Sequence, residues 1–177
     1  MLSTDQKGAI AELAVVHHAA RLDVGVLRRL TDGHRYDLVF DFNGELLRVQ
    51  CKWALRHGNV VVVRCRSCRR TATGYDRRVY TSDEVDLVAA YCLELDQCYV
   101  LPAPLFDGRS AVQLRLSRAR NNQREGINWA SDYEIEAKLR TEQGAVAQLG
   151  ERQHGMLEAT GSSPVGSTLF DAPLTGA

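Results

Sequence analysis

The sequence predicts an α/β fold: a mixed central β-sheet that contains an antiparallel hairpin and is flanked by helices. Two observations carry this. Over residues 4–21, Ile10, Leu13, Ala14, His17 and Ala20 recur at helical spacing. Over residues 35–53 the pattern changes to a period of two on either side of Asn43-Gly44, a dipeptide typical of a two-residue hairpin turn.

The elements follow in order. Thr4 is the expected N-cap of the first helix, with Asp5 in its first turn. Gly25 follows the helix and opens a strand over residues 26–30, and Thr31–His34 reads as a turn. Arg35–Phe42 and Glu45–Trp53 form the hairpin. A two-residue turn fixes its register, setting Phe42 against Glu45 and, counting outward, Asp37 against Gln50. One face then carries Tyr36, Leu38, Phe40, Phe42, Leu47, Val49, Cys51 and Trp53. The other carries Asp37, Val39, Asp41, Leu46, Arg48, Gln50 and Lys52. A slip of one residue would mix the two sets, so one face is core and the other holds a polar cluster. Further strands are expected over Asn59–Cys65, Cys98–Leu101 and Val112–Leu116. The Arg-rich residues 66–82 read as a loop. Helices are expected over Asp83–Leu93, with Val85, Val88, Ala89 and Cys92 inward, and over Asp132–Arg140.

At 177 residues, 45% hydrophobic and 25% charged, the chain suits one soluble domain plus some extra sequence. No apolar run approaches the roughly 20 residues of a membrane span. Five cysteines without a secretory pattern suggest reduced thiols and a cytoplasmic protein. Lys+Arg and Asp+Glu both total 22, so net charge does not mark a nucleic-acid binder. The arginines are unevenly spread, however. Arg64, Arg66, Arg69, Arg70, Arg77 and Arg78 fall in one stretch, and Arg115, Arg118, Arg120 and Arg124 in another. Such clusters can follow a phosphate backbone, and the first set with Arg115 and Arg118 is the expected DNA-binding surface.

The polar cluster is where chemistry is expected. Asp37 and Gln50 oppose each other with Cβ atoms about 5 Å apart, and Lys52 shares their face. Hard divalent cations prefer oxygen ligands, which a carboxylate and an amide both offer. Such a cation activates water and stabilises charge on a phosphate, and a neighbouring lysine can offset the charge that develops. Glu12, between Ala11 and Leu13 on the first helix, is the natural second carboxylate. Cys65 and Cys68 have zinc-knuckle spacing but lack a second pair of that spacing.

The order Glu12 on a helix, Asp37 on one hairpin strand and Gln50-Cys51-Lys52 on the next resembles the PD-(D/E)xK nuclease superfamily. The likeness is strongest to its branch of group I intron homing endonucleases and archaeal Holliday junction resolvase relatives. It covers roughly residues 5–135 and includes Lys7–Glu12, Arg35–Val39, Arg48–Lys52, Asp86–Ala89, Cys98–Pro102 and Asn121–Gln123. The resemblance implies a restriction-endonuclease-like core and a DNA endonuclease that uses Mg²⁺, with Mn²⁺ as a substitute. It implies metal binding by Glu12, Asp37 and Gln50, catalysis by Lys52, double-stranded DNA as substrate, and a homo-oligomer, either dimer or tetramer. Gln50 departs from the usual Glu or Asp, offering an oxygen without a charge. A mobile-element role follows from the branch. The alternatives are a junction-resolving or repair nuclease and a degenerate fold that only binds DNA.

The nuclease domain is expected over residues 1–142. Residues 143–177 are rich in Gly, Ser, Ala and Thr and read as a disordered tail. Ala145–Arg152 and Gly161–Pro164 match the translated D-arm and T-arm of a tRNA gene. The run from Gly144 to Thr168 is about 75 nucleotides long, close to one such gene, and is best set aside from fold reasoning. A genomic sequence without a cloverleaf at that place would refute an overlapping tRNA gene.

Overall fold

A computed structural model describes residues 1–31, 33–42, 44–117 and 126–141; the side chains of Arg69 and Arg70 are outside that description. The tail expected from residue 143 lies outside the described residues.

Helix α1 spans Thr4–Arg21. Its N-cap is Ser3 rather than Thr4: Ser3 Oγ accepts from the Gln6 amide at 3.1 Å, and Gln6 Oε1 accepts from the Ser3 amide at 2.9 Å. This reciprocal capping box satisfies two otherwise orphaned N–H groups, which Thr4 could not do. Ala11, Val15 and Ala19, four residues apart, form the buried stripe, and their small side chains let the helix lie close on the sheet.

The strands are β1 (Gly25–Arg28), β2 (Leu38–Phe42), β3 (Glu45–Trp53), β4 (Leu55–His57), β5 (Val60–Arg64), β6 (Arg66–Thr71), β7 (Gly74–Val79), β8 (Leu87–Cys92), β9 (Gln97–Pro102) and β10 (Ala111–Arg115). The central sheet has the order β1-β2-β3-β8-β9 and is mixed, with β3 and β8 parallel and the other pairs antiparallel. A second sheet, β10-β5-β4, packs below it, and β6-β7 make a separate ribbon. The expected hairpin register holds from Phe42↔Glu45 to Leu38↔Val49; Asp37 lies just beyond that ladder, its amide bonded to Val49 O.

Other expectations fail as well: Leu13, His17 and Ala20, on the face read as apolar, are exposed, and β2 begins at Leu38, not at Arg35. Residues 83–93 are not a helix but contain β8, all six of whose residues are buried. Leu87, Ala89 and Tyr91 face the core under α1, while Val88, Ala90 and Cys92 face the core shared with the second sheet. A strand covered on both faces loses the polar alternation that would mark it, and its apolar run then mimics a helix. Residues 66–82 are not a loop but hold the β6-β7 ribbon, paired from Arg66↔Val79 to Thr71↔Gly74. The C-terminal helix begins later than expected. Ala130–Tyr133 is a turn of 3₁₀ helix, and residues 135–141 are α-helical, with Ile135 and Leu139 in the first core.

The two cores position the site. The first fills the space between α1 and one face of the whole central sheet; the second covers only the β8-β9 half of the other face. The β2-β3 half of that second face is left for polar side chains.

Candidate active site

Asp37 lies just before β2 and is tied to β3 on both sides. Its amide donates to Val49 O at 2.9 Å, and its Oδ2 accepts from the Cys51 amide at 2.8 Å and from Gln50 Nε2. Gln50 is the one buried polar residue among those described. Its Nε2 also donates to Cys51 O at 3.2 Å. A buried amide between two oxygens is a satisfied group, and that fixes the side chain. Lys52 follows on the same face. Its Nζ stands 4.8 Å from the centroid of the buried Tyr80 ring.

Glu12 comes from α1 and is held by Arg28, whose Nη2 donates to Oε2 at 3.1 Å. Arg29, the next residue, reaches the other carboxylate, with Nη2 3.6 Å from Asp37 Oδ1. Arg29 Nε is buried without a hydrogen-bond partner among the described residues.

Charge in this site is undercompensated. Burial raises the Asp37 carboxyl above its ordinary value, and the Cys51 amide, Lys52, Arg29 and Gln50 only partly offset that. Glu12 is raised by burial and then by the negative charge of Asp37, with Arg28 opposing. Lys52 is lowered by burial, against the pull of Asp37. Each group is thus pushed toward its neutral form, above all by burial. The donor set suits a hard divalent cation: two carboxylates, the Gln50 amide and the Cys51 carbonyl are all oxygen donors. The Gln50 amide nitrogen faces these oxygens here, and its oxygen would have to turn toward them to bind. No group of three or more His, Cys, Asp or Glu suited to a metal occurs among the described residues, in keeping with an amide in the third position. Cys65 and Cys68 belong to no such group among the described residues. Cys65 is buried and Cys68 exposed, because an odd offset along extended chain turns them to opposite sides.

The structure therefore brings Asp37, Gln50 and Lys52 together, with Glu12 close enough to raise its own pKa through Asp37. The described arginines of the expected DNA-binding set lie on two elements. Arg64 pairs with Ala111 and Arg115 with Val60, at opposite ends of the β5-β10 ladder, about 13 Å apart along the strands. Arg66, Arg77 and Arg78 lie on the ribbon, where Arg78 binds Glu84. Arg118 and the side chains of Arg69 and Arg70 are outside the described residues. A polar cavity of about 170 Å³, lined by Gln50, His34, Arg35, Ser67, Asp76 and Arg78 among others, joins the site to the ribbon. Arg28, Arg29 and Tyr80 were not legible in the sequence, because nothing in their spacing ties them to the carboxylates or to Lys52.

A family model of PD-(D/E)XK endonucleases matches residues 2–136. A solved structure, the bacterial homing endonuclease I-Ssp6803I, superposes with a TM-score of 0.64 at 31% identity, covering 83% of this chain and 99% of that one. No curated protein matches. The fold, the hairpin site and these similarities define a nuclease. The chain belongs to the PD-(D/E)XK endonuclease family.

Proposed function

We propose that the protein is a Mg²⁺-dependent endodeoxyribonuclease, with Mn²⁺ as a substitute, that hydrolyses phosphodiester bonds in double-stranded DNA. The observation that carries this is the register-locked meeting of Asp37, Gln50 and Lys52 on the uncovered half of the sheet, with Glu12 brought over by α1. Asp37, Glu12 and Gln50, with the Cys51 carbonyl, would hold the cation. When bound, it supplies a water of lowered pKa and Lewis acidity toward the phosphate. Asp37 is held by its bond from the Cys51 amide, which does not depend on the Gln50 amide turning its oxygen to the cation. Lys52 aims an unshared ammonium at the phosphate oxygens that gain charge.

The ribbon supports DNA as the substrate. A two-stranded antiparallel ribbon fits the major groove of B-DNA, and this one presents Arg66, Arg77 and the exposed Tyr75 on one face. The homing endonuclease likeness supports a mobile-element role, and a homo-oligomer, dimer or tetramer, would match a DNA site of two-fold symmetry. A second reading, a fold that binds DNA without cutting it, draws on Gln50 in place of a carboxylate.

The test is cleavage of a plasmid carrying the DNA that flanks the coding sequence, beside a four-way junction, in Mg²⁺, Mn²⁺ or EDTA. Cutting of the plasmid in Mg²⁺ and not in EDTA is expected. Preference for the junction would select a resolving nuclease. Binding without cleavage in either cation would overturn the catalytic reading.

A further inference from the structure

Lys52 rests on an aromatic ring, as Lys7 rests on Trp53 and Lys138 on Tyr133, but its ring is a buried one beside the site. The Lys52 Nζ makes no hydrogen bond or ion pair with the described residues; the Tyr80 ring stands 4.8 Å from it, and the charge of Asp37 also acts on it. A lysine on a flexible stem needs some contact to hold it in one place. A hydrogen-bond acceptor would do so by occupying a donor. An aromatic face attracts the ammonium through its quadrupole and leaves the N–H donors free.

The ring itself is firmly placed. Tyr80 is 2% exposed, and its backbone is bonded on both sides, to Cys65 O at 3.1 Å and from the Gly108 amide at 3.2 Å. The Arg35 guanidinium also lies over the ring, 4.5 Å from its centroid. Arg35 is itself pinned by Glu84 at 3.0 Å, Ser67 Oγ at 2.8 Å and Val79 O at 2.6 Å. Ser67 and Val79 belong to the base of the ribbon, so the ring that holds Lys52 is braced against the element proposed to touch DNA.

We infer that Tyr80 is a positioning residue for Lys52, fixing its ammonium through the ring face while leaving its donors free for a phosphate. This rests on the reading of Lys52 as the catalytic lysine. The hydroxyl of Tyr80 is not needed for the role; the ring is.

The experiment has two arms on the full chain. In the first, ¹³Cε-labelled lysine is observed by NMR without DNA. The chain has three lysines, Lys7, Lys52 and Lys138, and K7R and K138R assign the signals. The Lys52 methylene should be shifted upfield by the ring in the wild type and in Tyr80→Phe, and should lose that shift in Tyr80→Leu. In the second, single-turnover cleavage and DNA Kd are measured with the flank-bearing plasmid. Tyr80→Leu should cut about tenfold more slowly with Kd little changed, and Tyr80→Phe should recover most of the rate. Thermal melts identify a variant that fails to fold, in which case Tyr80→Met takes its place. An unshifted Lys52 in the wild type, or full-speed cutting by Tyr80→Leu, overturns the inference. Full-speed cutting by Lys52→Ala would instead overturn the reading of Lys52 itself.

Discussion

The β2-β3 and β6-β7 hairpins both close on two-residue turns, and they differ in what stands behind them. The β2-β3 hairpin buries Leu38, Phe40, Phe42, Val49 and Cys51 against α1. None of the described side chains of the β6-β7 ribbon is buried. A buried face fixes register, because a slip would turn the apolar set outward. Groups that must be held to a fraction of an ångström, such as Asp37, Gln50 and Lys52, gain from the anchored hairpin. Groups that must adapt to a long, charged surface lose little on the free one. On the proposed function, chemistry falls to the first hairpin and binding to the second.

That assignment can be broken by variants that separate cutting from binding. Lys52→Ala should lower single-turnover cleavage by about 10²–10³-fold while leaving DNA affinity within a few-fold of the wild type. The ribbon should behave in the opposite sense. Arg66→Ala with Arg77→Ala should weaken binding and reduce the slope of log K against log salt by about 2, with the rate of the bound complex kept. Titrations at several salt concentrations read this, and an unchanged slope would remove the ribbon from the DNA interface.

Smaller effects sharpen the anchoring. Arg48 grips Asp86 with Nε at 2.9 Å and Nη2 at 2.7 Å, and the Arg48 amide donates to the same carboxylate at 2.7 Å, which fastens β3 to the start of β8. Burial pushes the Asp86 carboxyl up, but these bonds and the charge of Arg48 bring it below its ordinary value. Its contribution to stability is therefore complete above the ordinary aspartate range and fades as pH falls through the lowered value. Asp86→Asn should cost roughly 1 kcal/mol in urea unfolding at neutral pH, discounted for its partial exposure, and less near pH 3.

Asp37 works with the opposite sign. Its pKa is raised, so the folded state holds its proton more tightly than the unfolded chain does, and stability falls as pH rises through the raised value. In EDTA at neutral pH, Asp37→Asn should melt about 2–4 °C above the wild type, a gain in stability at the expense of activity. Added Mg²⁺ should raise the wild type and not the variant. Equal melting of the two in EDTA would mean that the buried charge is already compensated.

Legibility in the sequence followed burial. The first hairpin was readable because one face is apolar, the other polar, and Asn43-Gly44 marks the turn. From its register alone, Asp37, Gln50 and Lys52 could be set side by side. The ribbon was not readable: both faces are polar, and Ala72-Thr73 carries no turn signal. Strand β8 failed for the reverse reason, since both faces are covered and Leu87–Cys92 is apolar throughout. Tyr80, Arg28 and Arg29 meet the site through tertiary packing, which leaves no local period to detect.

The central claim is that the anchored hairpin is a metal-dependent nuclease site. Plasmid cleavage in Mg²⁺ by the wild type and by Asp37→Ala tests it most directly, with DNA binding measured alongside. The account requires nicking or linearisation by the wild type, lost in the variant while binding persists. Cleavage that survives Asp37→Ala would place the chemistry elsewhere in the molecule.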